Sequence, residues 1–567
     1  MAGGMDSKLT LEEQSHFVRR LKTLEDERKN GWESHWRSLA KNFLPRRSRF
    51  LDAGDRTNDG GIMNMLQSGV GILCLRVLAN GMQSGLTSPA RPWFSLDLTN
   101  KNLADSEQAK LWLHDTYEKM VDVFRQTNFY DQVHILYSEL ACFGTACMII
   151  EEDTRNVIRC RTLTVGEYAI DAGEDGRVDT LYRRVRMTPR QMLQAWPDAT
   201  PDDVERMADN DESRWITVLH AVEPNMQRRE GSRKGDERPY RSVYMILDGA
   251  RRAVLEDSGY YEFPALCPRW ITTASDIYGS SPAMDAIADC RELQKAVEKT
   301  RIGLEKEVDP PLLVYNKGID GVIDTSAGGV NYTSGLTQGQ EAVVPLSTVR
   351  ANLPAAERWI ARLENILQRH FHNDLFLMIS EANKQMTATE VAERQGEKLL
   401  MLGPVLDRLR SEMFQPLIER VYGIMDRKGI VAFPPPGLEG EQVNVEFISI
   451  LAQAQKQAGI GGISQTLAFA GQVAQLYPQI VDKFNFDEMA DAWAEMQGIA
   501  PNLMRSDEEV AQLREERARQ QQTAQMMAMA QQGADAFAKG SVGAKNLRPQ
   551  NDDPGATEKA LGPFSGV

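Results

Sequence analysis

The run from Pro282 to Val308 carries proline only at its first position and is closed by Asp309-Pro310-Pro311. Ser281 suits a helix cap and Pro282 its first turn, whereas the residue before a proline is driven out of the helical region. The sequence therefore predicts one helix over 282–308, a rod of about 40 Å at about 1.5 Å per residue. A second rod follows, with Trp359, Leu363, Ile366, Leu367 and Phe371 on one face and Arg358, Arg362, Glu364 and Arg369 off it. Between the two lie three short strand-like runs, LLVY, VNYT and AVVPL, among Gly-rich turns. The chain thus leaves along one helix, makes a small β excursion and returns along another.

The flanking regions follow different periods. Thr10 with Glu13 forms a capping box, and Trp32, Trp36, Leu39 and Phe43 fall on one face of a second helix ending before Pro45. Ile72, Leu73, Leu75, Leu78 and Met82 predict a buried helical face that stops near Gly85. Pro89 and Pro92 are expected to hold the next segment extended, with Trp93 as an anchor before the alternating Ser-Leu-Asp-Leu. From about 146 to 270 the pattern becomes β-rich (CMIIEE, TLYRRVRM, SVYMILDG), interrupted by a helix opened by Thr188-Pro189 with Gln191. This reads as an α+β domain in a mainly helical chain.

After the polar break SEANKQM, Thr387 with Glu390 makes another capping box. Leu402, Leu406, Leu409, Met413, Leu417, Val421 and Ile424 then continue an apolar stripe that Pro404 and Pro416 are expected to kink. FPPPGLEGE marks a boundary, helical periods resume from Phe447 to Gly498, and Ser506 with Glu509 caps a last helix. That helix has too few apolar positions to stand alone, so it is expected to pack against copies of itself or fray. The stretch from about 535, rich in Gly, Pro, Asn and Asp, reads as disordered.

At 567 residues the chain is long enough for two to four domains. Lys and Arg number 65 against 80 Asp and Glu, a net charge of −15 that argues against a simple basic-patch nucleic-acid binder. The six cysteines show no CxxC pair and no zinc-finger spacing, so reduced core positions are expected. The N-terminus lacks the apolar run of a signal peptide, and no stretch is apolar enough to suggest a membrane span.

Catalytic signals are missing: there is no G-x-x-x-x-G-K-[ST], no HExxH and no GxSxG. His370, His372 and Asp374 form the one His/carboxylate group worth testing, with His370 and Asp374 on one helical face. A solvated helix end is its plainer reading. The acids Glu151-Glu152-Asp153 and Asp202-Asp203 read as solvated surface. Lys295, Lys299 and Lys306, interleaved with Glu298, Glu305 and Glu307, fit a phosphate backbone or an exposed, inter-subunit face. Arg46-Arg47-Ser48-Arg49 reads as a basic surface loop.

Several blocks carry a resemblance. LANGMQSGLTSPARPWFSLDL at 78–98, Asn128-Phe129 with Phe143-Gly144-Thr145-Ala146, YEFPALCPRW at 261–270, IYGSSPAMDAIADC at 277–290 and MTATEVAERQGEKL at 386–399 occur in one order. That series is similar to the head-to-tail connector, or portal, family of short-tailed bacteriophages.

The resemblance implies a ring, usually of twelve copies, at one capsid vertex, through which the genome is packaged and later ejected. It implies a wing over 1–275, stem helices over 276–308 and 349–378, and a clip over 309–348. A tunnel loop over 379–386 would be followed by a long kinked wing helix over 387–430, a helical crown over 431–505, a C-terminal helix over 506–534 and a disordered tail over 535–567. The loop residues Ser380, Glu381, Ala382, Asn383, Lys384, Gln385 and Met386 would lie nearest DNA, although a plain interhelical turn stays open. Lys295, Lys299, Lys306, Arg358 and Arg362 become candidate channel or stem contacts.

The implied partners are terminase, major capsid and scaffold proteins, tail adaptors and weakly bound double-stranded DNA. No membrane, cofactor, metal or catalytic residue is implied. An acidic balance suits a conduit, because each neutralised phosphate would add affinity for DNA that must pass. The alternatives are a packaging-associated metal-dependent nuclease and a minor capsid or scaffold protein without a channel.

Overall fold

The computed structural model describes residues 9–45, 66–98, 106–210, 214–229, 234–248, 252–273, 276–308, 312–314, 343–345, 352–374, 403–436, 443–447, 485, 489–490 and 509–526. The chain divides into two units, Met1–Gly498 and Ile499–Val567.

The first unit opens with α1 (Leu11–Arg28), whose predicted capping box is present: Glu13 N–H donates to Thr10 Oγ1 and Thr10 N–H to Glu13 Oε2. The expected second helix, α2 (Ser34–Phe43), is not separate. A π-helical turn over Lys29–Glu33 joins it to α1 as one rod. The wider turn changes the helical phase, so Phe17, Leu21 and Leu24 bury in one cluster while Trp36, Leu39 and Phe43 bury in another.

Next, α3 (Val70–Leu86) ends one residue past Gly85 and buries Leu75, Leu78 and Met82. Leu73, expected on that face, is exposed; Cys74 and Ala79 are buried instead. Pro89 lies in a turn closed by Arg91 N–H donating to Ser88 O, so it reverses the chain where extension was expected. Trp93 is buried, and strand β1 (Phe94–Leu98) alternates buried and half-buried positions as its sequence predicts.

Helices α4 (Glu107–Gln126) and α5 (Phe129–Phe143) lead into a three-stranded sheet of β2 (Cys147–Asp153), β3 (Val157–Leu163) and, from later in the chain, β9 (Ala265–Leu266). A five-stranded antiparallel meander follows: β4 (Tyr168–Ala172), β5 (Val178–Met187), β6 (Ile216–Pro224), β7 (Tyr240–Ile246) and β8 (Val254–Tyr260). Side chains alternate across such a sheet. Leu219 and Ala221 meet α1, while Val218 meets α6 (Pro189–Ala195) and α7 (Asp202–Asn210). The capping box of Thr188 with Gln191 is present at the start of α6.

The long helix α8 spans Pro282–Val308. Strands β10 (Leu312–Val314) and β11 (Val343–Pro345) pair antiparallel, and the chain returns along α9 (Leu353–His370). Helices α10 (Gly403–Leu409) and α11 (Gln415–Arg427) are separated by a second π-helical turn over Arg410–Phe414. Pro416 follows just after this turn, at the start of α11, where its missing N–H leaves the ladder behind it incomplete. The stripe Leu409, Met413, Leu417, Val421 and Ile424 is fully buried.

Strand β12 (Val443–Phe447) pairs antiparallel with β1, Phe94 opposite Phe447. Helical periodicity from Phe447 did not announce this strand, whose partner lies far back in the sequence. In the second unit, residues 509–526 form a helix with almost every position exposed. Its expected cap at Ser506, the segment 535–567, VNYT and the basic cluster at 46–49 lie outside the described residues.

All six cysteines are free and buried, as expected. Burial pushes the Cys74 and Cys290 thiols up to about 11 and Cys160 to about 12. Among the described residues no helix is long and apolar enough to cross a membrane.

Candidate functional site

Three of the blocks that carried the resemblance, at 143–146, 261–270 and 277–290, meet at the root of α8, and the block at 386–399 lies outside the described residues. Helix α5 ends at Gly144, whose φ of +74° suits glycine, and a Cβ there would stand 2.2 Å from Gly279 O. The approach is reciprocal, since a Cβ on Gly279 would stand 2.5 Å from Gly144 O. Around the contact, Trp270 N–H donates to Gly144 O (2.9 Å), Ala146 N–H to Pro268 O (3.1 Å) and Gly279 N–H to Thr145 Oγ1 (2.8 Å). Ser281 Oγ donates to Cys142 O (2.7 Å) and accepts from Met284 N–H (3.1 Å), so the residue that caps α8 also ties it to α5.

A buried ion pair closes this node. Arg269 donates from Nη2 to Glu412 Oε1 (2.6 Å) and from its backbone N–H to Glu412 Oε2 (2.9 Å), with both side chains under 10% exposed (4% and 7%). Its guanidinium also donates to Gly176 O and Ile277 O. The π-helical turn that holds Glu412 is thereby clamped to the 268–280 block. Nearby, Arg420 donates to Ile150 O and Glu262, and Arg427 joins Glu262 to Glu152.

From this root α8 runs outward. Pro282, Ala283, Ala286, Ile287, Cys290 and Leu293 are buried, and beyond Leu293 every position is half-buried or exposed. Helix α9 packs along it through buried Leu363 and Leu367, and Phe371 meets Phe43 with ring centroids 5.4 Å apart. Trp359, predicted on the same buried face, is 43% exposed because α8 covers only part of that face. It borders a shallow groove of about 370 Å³ with Glu292, Lys295, Ala296, Lys299, Thr300 and Ala356.

Lys295 and Lys299 thus come together with Trp359, and Arg362 lies over its ring at 5.6 Å. Lys306 and Arg358 are exposed on the same two helices, Arg358 Nε donating to Pro354 O. Ser380 to Met386 lie outside the described residues. Chemically the groove presents ammonium groups around an aromatic face, an arrangement suited to carboxylate or phosphate groups and to docking of another surface.

The His/carboxylate group resolves differently from its sequence pattern. Helix α9 ends at His370, so Asp374 does not continue its face. His370 Nε2 instead pairs with Asp289 Oδ2 of α8 at 3.1 Å. His372 has a positive φ (51°), and burial holds its imidazole below the usual range. No group of metal-ligating side chains occurs among the described residues.

The acids read as solvated are also partly occupied. Glu151 pairs with Arg159 (2.8 Å) and with buried Arg183 (3.4 Å), which donates from Nε to His220 Nδ1 (2.9 Å). His220 stacks on Tyr244 at 4.0 Å, and burial pushes it well below the ordinary imidazole value. Adjacency of the acids could not reveal these partners, since Arg159 comes from the neighbouring strand β3 and Arg183 from β5, 32 residues away.

Residues 14–504 match the family described as bacteriophage head to tail connecting protein. The chain is 39% identical over 524 residues to a probable portal protein of Bordetella phage BPP-1, covering 91% of this chain and 93% of that protein. It is 37% identical over 549 residues to the portal protein of Salmonella phage epsilon15, covering 96% and 97%. A solved neck of a native gene transfer agent particle, computed with C12 symmetry, aligns over 75% of this chain and 94% of its own at 12% identity and a TM-score of 0.35. With its family match spanning most of its length, the chain belongs to the bacteriophage head to tail connecting protein family.

Proposed function

We propose that this chain is a portal subunit: copies close into a ring at one capsid vertex, where double-stranded DNA enters during packaging and leaves during ejection. The observation that carries the reading is near-full-length identity of 37–39% to two proteins named as portals. Its role is structural, with no catalytic residue assigned. Terminase docks there first and tail proteins later, and major capsid and scaffold proteins surround it. Twelve copies is the number adopted, and the formal charge of −15 per copy makes such a ring strongly acidic.

Within this reading α8 and α9 serve as stem helices, the β10–β11 hairpin belongs to the clip, and the wing, crown and C-terminal helix follow the boundaries expected from the sequence. Ser380 to Met386 form the tunnel loop, Lys384 being its basic residue, and Arg358 and Arg362 are stem contacts.

Class-averaged electron microscopy with native mass measurement tests the ring: closed rings with an open axis are expected, and monomers at every salt and protein concentration would sink it. Deleting Ser380–Met386 is expected to leave rings intact while lowering retained DNA. Loss of folding would mark the segment as a structural turn.

A further inference from the structure

The exposed length of α8 carries two rows of charge at heptad spacing: Arg291, Glu298 and Glu305, and Glu292, Lys299 and Lys306. Residues seven apart on a helix lie within about 20° of one another and about 10.5 Å apart. The second row borders the groove, where Glu292 and Lys299 stand beside Trp359. The first row projects roughly opposite to Ala296 and Thr300, which face the α9 side of that groove. The first row thus lies away from the groove, with Arg291 donating to Ser38 of α2 and Glu305 in an exposed pair with Arg301, while Glu292 and Lys299 line the groove and Lys306 continues their row beyond it.

Resting on the ring reading, we propose that these rows are the two halves of one contact, with α8 of one copy seated in the α8–α9 groove of the next. Rotational symmetry makes such contacts heterologous and keeps equivalent helices parallel when they lie along the ring axis. A shift of one residue, about 1.5 Å, then sets Arg291 opposite Glu292, Glu298 opposite Lys299 and Glu305 opposite Lys306. All three pairs are opposite in sign. Sliding by a heptad leaves one like and one opposite pair, Arg291 on Lys299 with Glu298 on Lys306 or Glu298 on Glu292 with Glu305 on Lys299, so the one-residue shift is the register in which every pair is complementary. Trp359 and the small residues Ala296 and Ala356 supply the apolar contact, because exposed ion pairs alone contribute little affinity.

Two variants test the ladder: Glu298→Lys with Glu305→Lys, and Lys299→Glu with Lys306→Glu. Each alone places like charges across every copy-to-copy contact, and the ring fraction is expected to fall more than about tenfold. Mixed in equal amounts they become complementary, and rings of alternating subunits are expected to return, with native mass giving a 1:1 composition. The four substitutions combined in one chain are likewise expected to restore rings.

Circular dichroism and melting of each variant check that the exposed substitutions leave the fold intact. The ladder is overturned if either variant alone assembles like the parent, or if folded variants fail to recover on mixing. It is equally overturned if the Lys299/Lys306 variant forms normal rings and loses only DNA retention, which would assign the lysines to DNA. Failure of the parent chain to form rings would instead strike the portal reading itself.

Discussion

The root of α8 and its outer half are one continuous helix with opposite chemistry. At the root, buried polar groups are answered within the chain: the Arg269 charge by Glu412, and the Ser281 hydroxyl by Cys142 O and Met284 N–H. Past Leu293, lysines and glutamates face outward around a half-uncovered tryptophan. A single copy completes the first region and leaves the second open to neighbours. Damage to the root is therefore damage to the monomer, while on the proposed copy-to-copy contact damage to the outer half is expected to fall on assembly.

The strongest test of this contrast is Gly144→Val. The left-handed backbone and a carbonyl 2.2 Å from the new Cβ leave no room, so soluble folded protein is expected to be lost. Glu412→Leu comes next. It strands a buried guanidinium, and urea unfolding is expected to show a loss of about 3–5 kcal/mol. Restoration of most of that loss by also replacing Arg269 with Met would identify the isolated charge as the cause.

A smaller effect comes from His220. Its folded-state pKa lies below the unfolded value of about 6.5, so the unfolded chain binds more protons in acid. The associated stability is present above that value and declines as pH falls through it, by at most about 1.4 kcal/mol per pH unit. His220→Gln, which keeps an acceptor for Arg183, should flatten the melting-temperature profile between pH 7 and 5.

The smallest monomer effect is expected at Trp359→Ala, within about 0.5 kcal/mol for so exposed a site. The same substitution should weaken ring assembly. If monomer stability fell sharply while rings were unaffected, the division between root and outer half would be wrong.

What was legible in the sequence is what is decided locally. Capping boxes at Thr10 and Thr188 and both ends of α8 follow from residues within a turn of the boundary. The exposure of Leu73 and Trp359 depends on how much of a face a distant helix covers, which periodicity does not contain. The π-helical turns preserve helical composition while shifting its phase, so the N-terminal rod read as two helices. At the candidate site, Lys295 and Lys299 were visible as a charged row, but their groove required α9. Of the node built on Gly144, Gly279, Arg269 and Glu412, the first three were visible only as members of separate blocks and Glu412 lay in none, because its contacts join positions more than a hundred residues apart.

The pairing of β1 with β12 has a temporal consequence. Phe94 finds Phe447 roughly 350 residues later, so a growing chain synthesised at about 5–20 residues per second waits roughly 20–70 s for its partner. During that interval β1 has an unpaired edge, and both long helices emerge before the ladder that brackets them exists. A nascent subunit cannot complete this closure until more than three-quarters of it has been made, which delays finished, ring-competent subunits until late in synthesis.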